Sequence, residues 1–396
     1  MSGWTRPMVL FRLHKSRIEQ SGKIPGNSLA THSMKPISQT DIETVLNAYI
    51  DPHTGKDLLS SKTVKRIDID ADQVSLQLLL GYPAAGFKTL LADALREQIR
   101  AATGASQVDI SVDTHIVAHA VQKNLKPLPG VKNIIAVASG KGGVGKSTVA
   151  VNLALALAAE GAQTGILDAD IYGPSLPQML GLSGPPDSPD GQNMSPKQAF
   201  GVKVNSIGFL IEEDTPMIWR GPMVTNALQQ LLNNTLWGEL DYLIIDLPPG
   251  TGDTQLTLCQ QIPVSGAVIV TTPQDIALLD AQKGLKMFEK VGVAILGIVE
   301  NMSVHVCSNC GHAEHIFGSG GGEKMAQKYG VDLLGALPLD AGIRENADGG
   351  HPSVVAEPDG PIAAIYRDIA RKTAGRLAVR AKDYSARFPT ITVTND

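Results

Sequence analysis

The sequence predicts an α/β protein whose mainly parallel sheet is covered by helices on both faces and is preceded by a small α+β domain. Two observations support this fold class. From residue 133 onward, continuous apolar runs of strand length alternate with helical stretches, which is typical of parallel strands buried on both faces. Residues 37–120 instead combine short strands with two amphipathic helices.

The predicted α+β domain, residues 37–120, begins with a helix. Ser38 and Asp41 form a capping box, with Asp in place of the usual Glu or Gln, and Asp51-Pro52 ends the helix. Apolar spacing and turn residues then predict the remaining elements. These are strands over 64–70, 73–80 and 108–112, and a helix over 86–102.

A linker is predicted over 121–132, because Pro127, Pro129 and Gly130 interrupt the apolar pattern. The main domain then covers 133–380, followed by a tail over 381–396. Residues 182–195 are rich in Gly, Pro, Ser and Asp and are predicted to form a mobile loop. The main domain has predicted strands over 133–139, 164–167, 242–247, 267–272 and 294–299, and helices over 147–160 and 277–291.

The composition limits the function. Only 4% of the 396 residues are aromatic and the net charge is -5, so no nucleic-acid partner is expected. No apolar run approaches the roughly 20 residues of a spanning helix, so no stable membrane insertion is expected. Three cysteines are too few for a disulfide framework, which favours a reducing, cytoplasmic setting. The basic leader, residues 1–36, is interpreted as disordered or as upstream of a natural start at Met34; a transit peptide is the alternative.

One motif carries nucleotide chemistry. Residues 140–147 match G-x-x-x-x-G-K-[ST] between a predicted strand and a predicted helix, a context that a chance match would lack. Glycines let the backbone wrap around phosphate, Lys146 can reach the β- and γ-phosphates, and Ser147 can ligate Mg²⁺. The main domain is therefore predicted to be a P-loop NTPase. Its expected nucleotide contacts here are Gly140, Lys141, Gly142, Gly143, Val144, Gly145, Lys146, Ser147 and Thr148.

Aspartates at two predicted strand ends support this prediction. Asp246 ends an apolar strand, as expected for a carboxylate that acts on Mg²⁺. Asp168 and Asp170 follow a second strand. Asp170 is expected to orient the attacking water, and Asp168 is expected to act on the Mg²⁺ side. A single aspartate at a strand end more often only caps a loop, but three of them with the phosphate loop indicate phosphoryl chemistry.

Lys141, directly after the first glycine of the loop, is unusual. The pattern K-G-G-x-G-K-[ST] resembles the deviant Walker A group, which includes the partition, division-site and nitrogenase-iron-protein ATPases. In that group the extra lysine reaches the nucleotide of a partner subunit. The resemblance therefore implies a homodimer with ATP near its interface, and a catalytic role for Lys141 beside Lys146.

Longer stretches resemble the Mrp/NBP35 family of ATP-dependent iron–sulfur cluster carriers, over about residues 130–375. The resemblance implies ATP, Mg²⁺ and a [4Fe–4S] cluster as cofactors. In related ATPases the region of Asn301 contacts adenine, which favours ATP over GTP. The stretches that carry the resemblance are 168–175, 219–223, 237–253, 301–303 and 338–340.

The small domain resembles the MIP18/DUF59 proteins, which are often fused in front of bacterial members. The resemblance is incomplete, because the wider group often has Asp-Pro-Glu where this chain has Asp51-Pro52-His53. Some members carry a cysteine after the second strand, whereas residues 80–84 contain none. A docking or structural role is therefore expected for this domain rather than a thiol role.

The pair Cys307 and Cys310 follows a predicted strand in a C-x-x-C loop. Alone, such a pair fits a redox couple, half of a metal site, or two inert residues. Iron–sulfur clusters need four thiolates, and two pairs facing each other in a homodimer would supply them. This agrees with the bridged [4Fe–4S] cluster that the resemblance implies. Cys259 lies in a predicted helix, 254–261, and is expected to be a core residue.

Zinc is the main alternative at this pair. A single chain could build a Cys₂His₂ site from the pair and neighbouring histidines, although the spacing from Cys310 to the nearest one is tight. The histidines could equally be ordinary loop residues. They are His305, His312 and His315.

The leading hypothesis is a homodimeric carrier that exchanges clusters with scaffold proteins and apo iron–sulfur proteins and hydrolyses ATP. One alternative is a positioning ATPase on membrane or DNA, because residues 362–380 form a basic amphipathic helix. Such a helix more often packs on its own sheet. Another alternative, a small-molecule enzyme like the dethiobiotin synthetase relatives, leaves the cysteine pair unexplained.

Overall fold

The structure, a computed structural model, describes residues 36–210 and 221–382. Most of the predicted leader and tail therefore lie outside the described residues, as do Met34 and the Trp219-Arg220 pair of one quoted motif. No helix within the described ranges is long and apolar enough to cross a lipid bilayer.

The small domain forms as predicted, with a three-stranded sheet under two helices. Helix α1 begins with the expected capping box, in which the Ser38 side chain accepts from the Asp41 N–H and the Asp41 side chain accepts from the Ser38 N–H. Strands β1 and β2 are antiparallel, and β2 and β3 are parallel. The elements are α1 (Gln39–Ala48), β1 (Val64–Asp70), β2 (Gln73–Leu80), α2 (Lys88–Thr103) and β3 (Gln107–Thr114).

The main domain is built on an eight-stranded sheet in the order β13-β10-β9-β4-β8-β5-β7-β6. Every neighbouring pair is parallel except β6 with β7. The strands of this sheet are β4 (Val131–Ser139), β5 (Thr164–Asp168), β6 (Lys197–Ala199), β7 (Val202–Ser206), β8 (Leu240–Asp246), β9 (Gly266–Thr271), β10 (Ile295–Glu300) and β13 (Leu333–Ala336). Two further strands, β11 (His305–Val306) and β12 (Ala313–Glu314), form a separate hairpin between β10 and β13.

Helices cover both faces of this sheet. Along β4, Ile135 and Val137 belong to one core cluster, whereas Ile134 and Ala136 belong to the other. Strand residues therefore alternate between two packed layers, which explains why the sequence reads as continuous apolar runs. The helices are α3 (Lys146–Ala159), α4 (Leu176–Met179), α5 (Gly221–Asn233), α6 (Asp253–Gln261), α7 (Asp275–Lys290), α8 (Gly321–Tyr329), α9 (Ala341–Asp348), α10 (Ser353–Ala356) and α11 (Pro361–Ala378).

Helix α11 packs on its own domain. Tyr366, Ile369 and Leu377 on its apolar side are fully or nearly fully buried. They belong to the same core cluster as the buried face of α3. The apolar side of α11 is thus buried in the core of the protein. The amphipathic pattern of residues 362–380 therefore no longer supports a positioning ATPase.

The predicted linker is fastened to the main domain. Gln122 is buried, and its side chain donates to the carbonyls of Cys259 and Ile262 and accepts from the Val264 N–H. Strand β4 begins at Val131, inside the range predicted as linker. The prolines interrupt regular structure, as predicted. The segment is nevertheless held to the main domain by side-chain hydrogen bonds, which the local sequence pattern does not predict.

The predicted mobile loop, 182–195, has no helix or strand, but its end is held in place. Met194 exchanges backbone hydrogen bonds with the turn after α5, at Asn234 and Leu236. The hairpin β6–β7 follows it and forms one edge of the large sheet. These short edge strands were not predicted, because three to five residues carry too little pattern to distinguish them from loop.

The small domain and the main domain share one hydrophobic core cluster. Leu46, Leu95, Leu155 and Leu377, two from each domain, are among its buried members. Polar contacts cross the same junction: Glu160 accepts from the Gly86 N–H of the small domain. The expectation of a structural role for the small domain agrees with this packing.

A buried histidine strengthens the junction. His53 Nε2 lies 3.3 Å from Asp368 Oδ1 on α11, and its Nδ1 lies 3.3 Å from the Tyr82 hydroxyl. Burial opposes the charged imidazolium, but the hydrogen bonds to Asp368 and Asp51 outweigh it and raise the pKa of His53. His53, where the wider MIP18/DUF59 group often has Glu, thus contacts the main domain.

Candidate functional site

The phosphate loop connects the end of β4 to the beginning of α3. Gly143 and Gly145 have φ angles of 80° and 81°, in the left-handed region that favours glycine. A Cβ on Gly140 would collide with the backbone of α7 at Asp280. None of the described side chains caps α3, so the N–H groups of its first turn remain available to phosphate oxygens.

Four predicted residues converge at this loop. Lys146 Nζ donates to Asp246 Oδ1 at 2.6 Å, and lies 3.1 Å from Ser147 Oγ and 3.7 Å from Asp170 Oδ2. Lys146 is 6% exposed and Asp246 is 0% exposed, so this ion pair is screened little by water. The structure therefore brings the predicted lysine, hydroxyl and two carboxylates together, although they come from three separate strand ends.

The donor set fits Mg²⁺ and a nucleotide phosphate. Asp246 Oδ2 is buried and has no hydrogen-bond partner among the described residues. An unpaired buried carboxylate oxygen beside a serine hydroxyl matches the oxygen ligands that Mg²⁺ prefers. Lys146 supplies a positive charge for the phosphate side of the same site.

The predicted role of Asp168 on the Mg²⁺ side stays a prediction, and in the structure its carboxylate is bonded to the chain itself. Its Oδ1 accepts from the Asp170 N–H, and its Oδ2 accepts from the N–H groups of Ser175 and Leu176 and from Ser206 Oγ. Burial, reinforced by the charge of Asp246, raises the pKa of Asp168 to about 7. Both oxygens are thus committed to shaping the segment after β5, which leaves Asp246 better placed for Mg²⁺.

Asp170 lies at the surface of this carboxylate group, with its side chain 11% exposed. Burial raises its pKa, the Lys146 charge opposes that rise, and the Asp246 charge adds to it. Its backbone is oriented by Asp168, and Asp168 is in turn oriented by Ser206. Sequence reasoning missed Ser206, because it ends β7, a strand that the apolar pattern did not reveal.

Asn301 follows β10 and contacts the phosphate loop directly. Its Nδ2 donates to the Val144 carbonyl at 2.9 Å, and a Cβ on Gly145 would collide with that nitrogen. The expected contact of this region with adenine stays a prediction. Lys141 is half-buried and has no carboxylate within 4.0 Å among the described residues, so its ammonium is free to meet another group.

The cysteine pair lies at the tip of the hairpin β11–β12, hereafter the cysteine hairpin (residues 305–314). The Cys307 N–H donates to the His312 carbonyl, and the Gly311 N–H donates to the Cys307 carbonyl. Backbone N–H groups of Cys310 and Asn309 donate to the Cys307 sulfur and lower the pKa of that thiol. Cys307 is half-buried and Cys310 is exposed, so both sulfurs can reach a bound group.

The hairpin does not contain a complete metal site. Among residues 36–210 and 221–382, no group of three or more His, Cys, Asp or Glu could hold a metal ion. His305 Nδ1 lies 3.1 Å from the Leu339 carbonyl, and His315 Nδ1 lies 2.7 Å from the Ser303 carbonyl. Within these residues no histidine thus joins the two thiols in a group of that size, and the single-chain Cys₂His₂ zinc site is not assembled.

Cys259 is a core residue, as expected. It is 0% exposed on α6, and burial raises the pKa of its thiol to about 12. A thiol that stays protonated inside the core is a poor metal ligand. The chain thus offers two accessible thiols in its described part, both on the cysteine hairpin.

Comparison with known proteins shows the family to which the main domain belongs. The family described as "ParA: NUBPL iron-transfer P-loop NTPase" matches residues 130–374, more than half of the chain. This chain belongs to that family. The family described as "Iron-sulfur cluster assembly protein" matches residues 39–112, within the small domain.

Similar proteins have related names. The iron-sulfur cluster carrier protein of Haemophilus influenzae is 52% identical over 340 residues, covering 86% of this chain and 92% of that protein. The mouse iron-sulfur cluster transfer protein NUBPL is 52% identical over 266 residues, covering 67% of this chain and 83% of that protein. Among solved structures, the ADP complex of the nucleotide-binding protein from Archaeoglobus fulgidus is 40% identical, with a TM-score of 0.51, covering 58% of this chain and 90% of that one. The P-loop NTPase fold predicted from the sequence is confirmed.

Proposed function

We propose that this member of the iron-transfer P-loop NTPases is an ATP-dependent iron–sulfur cluster carrier. A homodimer holds one [4Fe–4S] cluster between two cysteine hairpins and passes it to apo iron–sulfur proteins. The observation that carries the proposal is the accessible Cys307/Cys310 pair, which has no third ligand within the described chain. The names of the similar carrier proteins support the same role.

Ligand number argues for two chains. A [4Fe–4S] cluster is held by four thiolates, and each chain offers two that solvent can reach. A two-fold axis beside the hairpin brings two identical pairs together, as in any symmetric dimer interface. Exposed Val306 and Ile316, each 51% exposed near the hairpin, give that interface apolar surface to bury.

The nucleotide site supplies the energy. Lys146 and the N–H groups at the beginning of α3 would hold the phosphates, and Ser147 and Asp246 would hold Mg²⁺, which neutralises phosphate charge. Asp170 would orient the attacking water. Lys141, which has no ion pair of its own here, would reach the nucleotide of the partner subunit.

A short path connects the two sites. Asn301 donates to the phosphate loop at Val144, and the cysteine hairpin begins at His305 on the same strand exit. Phosphate binding that reshapes the loop would alter the Asn301 contact and so the position of the hairpin. Nucleotide state would in this way change how tightly the two hairpins hold the cluster between them.

Anaerobic reconstitution of the full chain with iron and sulfide tests the cluster proposal. We expect a broad visible charge-transfer band and one cluster per two chains, with both lost in Cys307→Ser and in Cys310→Ser. Cys259→Ala is the matched control and should keep the cluster, because that thiol is buried in the core. Undiminished iron content in Cys307→Ser, or one cluster per single chain, would show that the bridging arrangement is wrong.

A further inference from the structure

A cavity of about 480 Å³ lies where the small domain meets the end of α11. Four segments line it: the connection between α1 and β1 with the beginning of β1, the end of β2, the chain after β3, and residues 378–382. Its size is within the range of small-molecule pockets, roughly 300–1,000 Å³. No residue of the phosphate loop or the cysteine hairpin lines it.

The cavity lies near the amino-terminal end of β10, and the phosphate loop lies near the carboxyl end of the same strand. Arg380, from its lining, donates to the carbonyl of Ile295, the first residue of β10. Asn301, which contacts the phosphate loop, follows the last residue of the same strand. A ligand in the cavity would therefore be separated from the nucleotide by the length of a strand.

The charged residues of the lining are all cationic. The lining contains five lysines and arginines and no aspartate or glutamate, although the whole chain has a net charge of -5. Within the described part of the chain, none of the five has a carboxylate within 4.0 Å. Like charges gathered without counter-charges repel one another and attract anions. The five residues are Lys56, Lys62, Lys65, Arg380 and Lys382.

Neighbouring cations outside the cavity behave differently. Arg66, the residue after Lys65 on β1, pairs with Asp68 at 2.7 Å. Lys132, near the same junction, pairs with Asp241 at 2.8 Å. The five cations of the cavity thus differ from these two neighbours, each of which has a carboxylate partner.

The chemistry of the lining limits the class of anion that could bind in the cavity. Four of the five cations are lysines, whose compact ammonium groups suit phosphate as point charges. Thr54, Ser60 and Ser61 also line the cavity, but their hydroxyls donate to Lys56 and Asp57, so the cations are the groups available to an anion. The lining has no Phe, Tyr or Trp on which a nucleobase could stack, so the phosphate groups themselves would supply the binding energy.

We propose that this cavity binds a small oligophosphate anion, held between Lys56, Lys62 and Lys65 of the small domain and Arg380 and Lys382 of the main domain. Such a ligand touches both domains at once. By linkage it stabilises their junction, since it binds only when the two walls are in place.

Equilibrium dialysis of the full chain against radiolabelled inorganic tripolyphosphate tests the proposal. The Lys146→Ala background, with EDTA present, removes binding at the phosphate loop. We expect one saturable site whose affinity falls about tenfold in Lys65→Glu, the loss expected for one charged contact. Arg66→Glu is the matched control, because it makes the same charge change one residue along β1 outside the cavity, and should change affinity less than threefold.

Lys382→Glu, on the opposite wall, should reproduce the loss and guards against a folding defect peculiar to Lys65→Glu. Three results would overturn the proposal: no saturable binding in the Lys146→Ala background, equal weakening by Arg66→Glu, or unchanged affinity in both cavity variants. Citrate and a single-stranded oligonucleotide serve as further arms. Tighter binding of either than of tripolyphosphate would show that the cavity selects a different anion.

Discussion

The phosphate loop and the cysteine hairpin are two halves of the proposed function, and they are built in opposite ways. At the loop, Lys146 and Asp246 are almost completely buried and bonded to each other. At the hairpin, two strands of two residues each present Cys307 half-buried and Cys310 exposed. The loop has nearly all its polar partners within one chain, whereas the hairpin offers half of a ligand set.

This difference follows from what each site handles. A nucleotide phosphate is surrounded by backbone donors and charges that must be fixed before it arrives, which requires a packed, preorganised site. Cargo that is handed to another protein must stay accessible, and ligands shared between two chains are released when the chains separate.

Lys146→Ala gives the largest expected effect and separates the two halves. Removing this charge should lower ATP binding and hydrolysis by on the order of a hundredfold to a thousandfold, because Lys146 is the buried cation of the site. Chemical reconstitution of the cluster on Cys307 and Cys310 should be unaffected. Nucleotide binding by fluorescence titration and iron content measured on the same preparations would check both.

Lys283→Ala is a suitable control for that variant. Lys283 is an exposed lysine on α7 that pairs with Asp280, beside the loop but outside the site. It should leave both ATP binding and cluster content unchanged. Loss of chemically reconstituted cluster in Lys146→Ala would mean that the hairpin depends on the loop even without nucleotide, and the division drawn here would fail.

Asp170→Asn is expected to act within the nucleotide half alone. It should lower the rate of ATP hydrolysis by about a hundredfold, since Asp170 is the carboxylate proposed to orient water, while ATP affinity stays near that of the unaltered chain. Steady-state hydrolysis and binding titration would separate the two parameters. If ATP affinity fell as much as the rate of hydrolysis, Asp170 would instead act in nucleotide binding.

Asp168→Asn distinguishes a catalytic carboxylate from a structural one. Both Asp168 oxygens accept hydrogen bonds from the chain, and an asparagine offers only one acceptor oxygen. We therefore expect a loss of about 1–3 kcal/mol in the free energy of unfolding, measured by urea denaturation, beside any loss of activity. Unchanged stability would contradict the structural assignment.

The sequence predicted the two halves unequally for a physical reason. The phosphate loop is a local motif, so its fold context and most of its residues follow from a few neighbouring positions. The orientation of Asp168 depends on Ser206, which reaches it through the pairing of β5 with β7. Such pairing is decided by tertiary packing and leaves no periodic signal in a short strand. The core shared by the two domains could not be predicted either. An apolar pattern in the sequence indicates that a residue is buried, but not which element packs against it.

At the hairpin, the two thiols could be predicted from the sequence, but their surroundings could not. The spacing of the three histidines is compatible with zinc, but within the described residues no group of three or more His, Cys, Asp or Glu could hold a metal ion. The backbone donors to Cys307 likewise arise from the turn geometry and not from residue types. A ligand set can be proposed from composition, but its convergence depends on the backbone path.

Truncating the cysteines compares an interior thiol with a surface one. Cys259→Ala should lower the free energy of unfolding by about 1 kcal/mol, because it leaves a small cavity in the core. Cys307→Ala, at the surface, should change it by less than about 0.5 kcal/mol. Urea denaturation of the cluster-free variants would measure both. Comparable losses would mean that the hairpin is part of the cooperative core and not an accessible ligand arm.

Alkylation of the cluster-free protein gives the smallest and most local effect. Backbone hydrogen bonds lower the pKa of Cys307, whereas burial raises that of Cys259 to about 12. Because the thiolate is the reactive form, a lowered pKa shifts the onset of reaction to lower pH. Iodoacetamide should therefore modify Cys307 at a pH below the ordinary thiol value of 9.0, with Cys259 unmodified until the chain unfolds.

Mass spectrometry of peptides sampled across a pH series would follow each cysteine separately. Cys310 provides an internal comparison, since it lies in the same turn and is the more exposed of the two. If Cys307 reacted only at the pH of an ordinary thiol, the backbone donors would not stabilise its thiolate. The hairpin would then present accessible thiols without favouring the form that binds metal. If Cys259 reacted in the folded protein, its separation from the metal chemistry would rest on position alone and no longer on burial.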